Sequence, residues 1–444
     1  MLIQTSLTEI PLMPKAFDIR AEQTLSTLKS GGQFKYLQMI EGPMGPSVKM
    51  RRYGECLCFC SNNYLGLANN PEVVEAGIKG LRDYGAGTAS VRFICGTFSP
   101  HETLEKSIAR YMGTESAYTF VSAWPAAEAL FPTLSEPGDM IISDELNHAC
   151  IIDAIRLTTV IKKGVHKSVY KNNVLTGPGS LQEALAKARA NPEVTGQIWV
   201  VTDGVFSMEG SIGDLATMRR LCDEYDAMLI VDDSHGHGVM GATGRGTHEH
   251  FGMIDSLEQR QAADEARARA MQESTLTTIM RSALQPNRVD IFTGTLGKAL
   301  GGGAGGFVAA SQNVIDMLVQ RGRPTLFSNA LPVTVACSAN KAIEILMKTP
   351  SLVQTLRDNC AYARKSIRAA GFEVIESPTA ICPIIVHDTA KAIAMSKRLL
   401  ELGVFVIGFG FPVVPEGHAR LRVQISAAHT TEHIDRLVAA LRKL

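Results

Sequence analysis

Lys298 stands in the segment 295–303 (TLGKALGGG), directly after the apolar run Val289-Asp290-Ile291-Phe292-Thr293. Such a run reads as a buried strand, and a lysine at its end, wrapped in glycines, loses water from its ammonium group. Burial disfavours the charged form, and a neutral amine is a nucleophile that forms a Schiff base with an aldehyde. A second buried run, Met228-Leu229-Ile230-Val231, ends on Asp232-Asp233-Ser234-His235. A carboxylate at a strand end is the partner that a pyridinium nitrogen requires. Lys298 and Asp232 together point to pyridoxal phosphate chemistry.

Two other readings of the glycines fail on their own templates. Gly294-Thr295-Leu296-Gly297-Lys298-Ala299 resembles a nucleotide phosphate loop. However, Phe292 stands where that loop needs its first glycine, and Ala299 replaces the Ser or Thr that binds magnesium. The run 301–306 (GGGAGG) satisfies the dinucleotide pattern in form, but Phe307-Val308-Ala309-Ala310 follows as a short strand where a helix is needed. These glycines read instead as a tight turn with close backbone packing.

The elements that would carry these groups alternate. Strand candidates fall at 116–121, 140–143, 198–202 and 228–231, with helical patterns at 102–112, 148–157, 180–190 and 214–226. That alternation predicts an α/β layer structure on a mostly parallel sheet, whose ligands collect beyond the carboxyl ends of the strands. Asp232, Ser207 and Lys298 all follow strand candidates. Beyond about 310, helical patterns at 312–321 and 333–348 lead to short strands at 372–376, 382–387 and 404–407 and a last helix at 431–443, which reads as a smaller C-terminal α+β domain. Three parts are therefore expected: an N-terminal helical arm over 1–56, a large domain over 57–310 and a C-terminal domain over 311–444. Within the large domain, 255–284 is charged and helix-prone, with Leu276, Ile279, Met280 and Leu284 giving its second half an apolar face.

A chain of 444 residues exceeds one ordinary core. Its 45% hydrophobic and 20% charged residues are globular values. Lys+Arg and Asp+Glu both total 44, so net charge gives no sign of nucleic acid or an anionic membrane. Nine scattered cysteines argue for reduced thiols and a cytoplasmic setting. Cys56, Cys58 and Cys60 alternate, so they share one strand face and read as small packing groups; no second ligand pair completes a metal spacing. The N-terminus lacks a signal-peptide pattern, and no run approaches the ~18 apolar residues of a membrane span.

Ordered along the chain are 61–67 (SNNYLGL), 144–149 (DELNHA), 203–208 (DGVFSM), 231–235 (VDDSH), 295–298 (TLGK), 326–329 (LFSN), 419–422 (ARLR) and 426–429 (SAAH). With these stretches the chain resembles the α-oxoamine synthases, pyridoxal-phosphate enzymes that condense an amino acid with an acyl-CoA. The resemblance runs from about Phe59 to Leu441, with 255–284 as an insertion. Residues 90–97 (SVRFICGT) and 411–415 (FPVVP) resemble most the members that join glycine to acetyl-CoA. Neighbouring members use longer acyl-CoAs and decarboxylate after condensation.

The resemblance implies the fold-type-I transferase architecture, with a mostly parallel seven-stranded sheet, and pyridoxal 5'-phosphate as cofactor. It implies that Lys298 holds the cofactor and moves the α-proton, that Asp232 pairs with the ring nitrogen, that His235 bonds the ring's phenolic oxygen and that His148 stacks on its face. Ser207 would line the ring pocket. Backbone amides at Ala123 and Trp124, at a helix N-terminus, and the Thr295 hydroxyl would receive the phosphate. Ser328 and Asn329 would reach the phosphate of the neighbouring subunit, which makes the protein a homodimer with a shared site. Arg422 would grip the substrate carboxylate with its planar fork, assisted by Asn63. Where members usually carry Gly or Cys, then Phe, then Asn, this chain has Ala123, Trp124 and Ala127, so Trp124 enlarges the wall near the acyl path. Non-catalytic partner subunits of this fold tend to lack the lysine, so Lys298 favours an enzyme.

Overall fold

The computed structural model describes residues 15–254, 288–411 and 413–444. The helical reading of 255–284 and residues 1–14 of the N-terminal arm lie outside the described residues. The first described element, a helix over Lys15–Ser30, buries no residue.

The strands in chain order begin with a hairpin, β1 (Ser47–Met50) and β2 (Gly54–Cys58). Then come β3 (Ser116–Phe120), β4 (Met140–Asp144), β5 (His166–Tyr170), β6 (Ile198–Asp203), β7 (Ala227–Asp232), β8 (Ile291–Thr295) and β9 (Gly306–Ala310). These last seven form one sheet in the order β3-β9-β8-β7-β6-β4-β5, and only β9 runs against its neighbours. The expected mostly parallel sheet is present. Side chains alternate between its faces: Ile142, Val200 and Leu229 enter one apolar cluster, while Ile141, Val201 and Ile230 enter another. Burial on both faces is why the strands read as continuous apolar runs.

Helices cover both faces, and their starts follow from local chemistry. Ser180 accepts a hydrogen bond from the Glu183 amide to open Leu181–Ala190, and Asp214 accepts from Thr217 to open Leu215–Glu224. Each cap satisfies a donor the helix leaves unpaired, worth ~1 kcal/mol.

The C-terminal part carries β10 (Ile381–His387), β11 (Val404–Phe405), β12 (Ile407–Phe409) and β13 (Ala419–Gln424). β13 lies between β10 and β12, antiparallel to both. β11 instead joins β2 in parallel, so the N-terminal hairpin and the C-terminal part share a small sheet.

The strand expected at 372–376 does not form: Val374 alone makes an isolated bridge to Ile384, following Gly371 at φ +89°. Sequence patterning also passed over the helices Pro71–Tyr84 and Ser351–Ala369 and the strands β5 and β13.

Candidate active site at the strand ends

Three neighbouring strands of the large sheet, β4, β6 and β7, each end on an aspartate: Asp144, Asp203 and Asp232. Asp203 and Asp232 are register partners, and Asp232 in turn sits beside Thr293 of β8. Lys298 follows β8 by three residues, which brings it to the same edge. Burial lowers its pKa to about 8, and the Arg422 charge acts the same way, while Asp232 and Asp203 hold the value up. At that value roughly a tenth of the amine is neutral at pH 7, against on the order of 0.03% for an ordinary lysine. We therefore expect the cofactor-free protein to capture a small aldehyde at a rate that rises with pH through about 8 and then levels. Stopped-flow absorbance checks this; a rate still climbing steeply at pH 10 would show an ordinary lysine.

The two aspartates of the 231–235 stretch separate. Asp232 accepts from the Ser234 amide at 2.9 Å and stays at the strand-end edge. Asp233 turns inward, fully buried, and accepts from the Thr247 amide and hydroxyl at 2.6 Å each. Burial raises Asp233 to about 7, so it is a structural acceptor.

Asp203, which motif reading left unassigned, faces the same edge. It accepts from the His148 amide at 3.3 Å, and its own amide donates to Asn147 Oδ1 at 2.8 Å. These reciprocal bonds pin the loop that carries His148. Burial raises the Asp203 pKa well above the usual carboxylate range, and the neighbouring Asp232 charge adds to this. His148 opens the helix Ala149–Ile161, with Nδ1 accepting from the Cys150 amide at 3.2 Å, and its ring meets Trp124 edge-on at 6.4 Å.

His235 is buried, and its Nδ1 lies 2.8 Å from the hydroxyl of Tyr64, 171 residues earlier. Burial, then the charges of Lys298 and Arg422, depress its pKa far below the usual histidine value. Arg422 lies on β13, the middle strand of its sheet; it is buried, and its Nε has no hydrogen-bond partner among the described residues. Two residues away, Arg420 differs: it binds Glu209 at 3.2 Å and the carbonyls of Met208 and His418. No carboxylate bonds to Arg422 among the described residues. A buried guanidinium without an anion is costly, and a carboxylate-bearing ligand relieves that cost. Asn63 is buried; its Oδ1 accepts from the Ala68 amide at 3.1 Å.

Ala123 and Trp124 form the first positions of the helix Ala123–Leu134, whose start carries no side-chain cap. Its amides therefore remain available to an anion. Gly306 of β9 presses against this turn: a Cβ there would stand 2.3 Å from the Ala123 nitrogen. Thr295 donates to the Gly305 carbonyl at 3.1 Å and accepts from the Gly297 amide, so it braces the glycine loop. Ser207 is partly exposed in the turn after β6. Ser328 caps the short helix Arg323–Phe327 and Asn329 is exposed. Neither hydrogen-bonds to the cluster among the described residues. His237 is buried and stacked on Phe307 at 5.4 Å. All nine cysteines are free thiols; Cys56 and Cys58 pack in a small apolar cluster with Val48 and Met50, as the alternation predicts.

The cluster thus combines a depressed lysine, a strand-end carboxylate, one buried histidine (His235) and one exposed histidine (His148), an arginine without an anion and a helix start without a side-chain cap. These donors fit pyridoxal 5'-phosphate: amine for aldehyde, carboxylate for ring nitrogen, helix amides for phosphate. A family model for class I and II aminotransferases matches residues 54–441. The chain is 39% identical over 421 residues to the mitochondrial 2-amino-3-ketobutyrate coenzyme A ligase of Bos taurus, covering 94% of this chain and 90% of that one. It is 38% identical over 421 residues to 2-amino-3-ketobutyrate coenzyme A ligase of Escherichia coli, covering 95% of each. Among solved structures, serine palmitoyltransferase of Sphingomonas wittichii superposes with a TM-score of 0.80 at 25% identity over 97% of both chains. The chain belongs to the class I and II aminotransferase family and, within it, to the pyridoxal-phosphate-dependent α-oxoamine synthases.

Proposed function

We propose that the protein condenses glycine with acetyl-CoA to give 2-amino-3-ketobutyrate and free CoA. The observation that carries this reading is the pairing of Lys298, its pKa brought down to about 8, with a buried Arg422 that lacks an anion on the same edge. The 38–39% identity to 2-amino-3-ketobutyrate coenzyme A ligases over nearly the whole chain supports glycine and acetyl-CoA over other acyl partners.

Bound at the strand ends, pyridoxal 5'-phosphate supplies an electron sink for charge left on the amino-acid α-carbon. Arg422 holds the substrate carboxylate through its planar fork, with Asn63 beside it. Lys298 would tether the cofactor and, as a free amine, would take the α-proton. The α-carbon bonds to the acetyl carbonyl, and the CoA thiolate leaves. Asp232 would pair with the ring nitrogen, His235 with the phenolic oxygen and His148 with the ring face. Amides at Ala123 and Trp124 and the Thr295 hydroxyl would receive the phosphate, and Ser207 would line the pocket.

Ser328 and Asn329 serve the site of a second copy, so the enzyme is a homodimer. The exposed Phe327, Ile94 and Phe93, at 73%, 65% and 61%, support a covered surface. The setting is cytoplasmic; no helix among the described residues is long and apolar enough to cross a membrane.

A free-CoA release assay over a matrix of amino acids and acyl-CoAs tests the reaction. We expect glycine with acetyl-CoA to give the highest kcat/KM, and a preference for long acyl chains would reject it. Arg422→Ala should raise the glycine KM by about 10²-fold, as loss of a buried charge-assisted contact does; a glycine response like the parent's would reassign Arg422.

A further inference from the structure

Arg422 can donate hydrogen bonds and cannot accept them, and because it is buried, its neighbours inherit a direction. Gln424 is the next residue on the same face of β13 and is 1% exposed. It satisfies Arg422 by turning its side-chain oxygen to Nη2 and Nη1, at 2.8 and 2.9 Å. Its nitrogen then donates to the carbonyls of Cys60 and Ser61, at 2.7 Å each. The opposite orientation would set donors against donors, a cost that buried groups avoid.

The same Gln424 oxygen lies 2.7 Å from the side-chain amide of Asn62, which must therefore present its NH2. That Asn62 group is also 3.2 Å from the Tyr64 hydroxyl. An NH2 there can only donate, so the Tyr64 proton must go elsewhere. Two acceptors remain in reach: the Gln424 oxygen at 3.4 Å and His235 Nδ1 at 2.8 Å. The shorter contact takes the proton. A neutral imidazole that accepts at Nδ1 carries its hydrogen on Nε2, and His235 Nε2 has no partner among the described residues.

We propose that Gln424, Asn62 and Tyr64 form a one-way hydrogen-bond chain that starts at Arg422 and fixes His235 as its Nε2–H tautomer. Tyr64 and Gln424 are thereby positioning residues: they set the donor presented at one end of the site from the charge held at the other. The groups whose charges bear on His235 are Lys298, Arg422 and His148, all cationic when charged, and with burial they keep the imidazole neutral. What Nε2–H meets rests on the cofactor reading above; the chain itself is a property of the protein.

Neutron diffraction from deuterium-exchanged crystals of the holoenzyme reads the chain directly. We expect deuterons on His235 Nε2 and on the Tyr64 oxygen directed at Nδ1. A deuteron on Nδ1, or a Tyr64 deuteron directed at Asn62, would overturn the proposal. Tyr64→Phe keeps the buried volume and breaks the chain. Loss of a fixed donor to the phenolic oxygen should move the pH midpoint of the cofactor's visible absorbance upward by about 0.5–1 unit. It should also lower kcat about 5-fold, with the glycine KM within about 2-fold. An unmoved midpoint with parental kcat would equally overturn it. A parent protein that takes up no cofactor would sink the cofactor reading instead, and deuteron positions in the cofactor-free protein would still decide the chain.

Discussion

Replacing Lys298 with alanine should reduce CoA release by at least about 10³-fold and abolish the visible absorption of the lysine–cofactor linkage. Two separate losses produce this. The nucleophilic amine that tethers the aldehyde is gone, and so is the base placed beside the α-carbon, a role worth ~10²–10⁴-fold. Arg422, Asp232 and the helix start at Ala123 stay in place, so the variant should still retain pyridoxal 5'-phosphate non-covalently. Absorption spectra before and after borohydride treatment, with a CoA assay, measure both effects. A variant that keeps the parental band or turnover would remove Lys298 from the chemistry.

The second large effect concerns two aspartates that occupy one register row. Asp232→Ala should lower kcat about 10²–10³-fold, the cost of removing a preorganised charge from a developing transition state. Asp203→Asn, one strand away, should stay within about 3-fold of the parent. Burial and then the neighbouring Asp232 charge push the Asp203 carboxyl well above the usual carboxylate range, and an amide oxygen can still accept from the His148 amide. Side-by-side kinetics decide the matter: equal damage at both positions would show that both act as charges.

Sequence patterning reached this edge of the molecule well, for identifiable reasons. Lys298 and Asp232 follow strands buried on both faces, and such strands read as unbroken apolar runs. β5 escaped notice because its residues are alternately half-buried and exposed at the sheet edge, with His166 and Lys167 diluting the pattern. The helix Ser351–Ala369 buries Val353, Leu356, Cys360, Ala363, Arg364 and Ile367 at helical spacing, a stripe that was legible in the sequence although Arg364 interrupts it. The contact of Tyr64 with His235 spans 171 residues and follows no local period. Nor does composition reveal that Arg420 has a carboxylate partner while Arg422 has none among the described residues. Asp203 could have been noticed: it stands where Asp232 stands, at a strand end, and only the single-lysine, single-aspartate template hid it.

The pairing of β2 with β11 bears on how the chain reaches this structure. Leu57 donates to Gly403, and the segment just after it is zipped to the far end of the protein, Gln424 donating to Phe59 and Ala427 to Tyr64. During synthesis these early residues wait about 350 residues for their partners, roughly 20–70 s at ribosomal speed. The segment that carries Asn63 and Tyr64 is therefore among the last regions to assemble, and a nascent chain leaves Leu57 and Phe59 without these partners until residues 403–427 have been made.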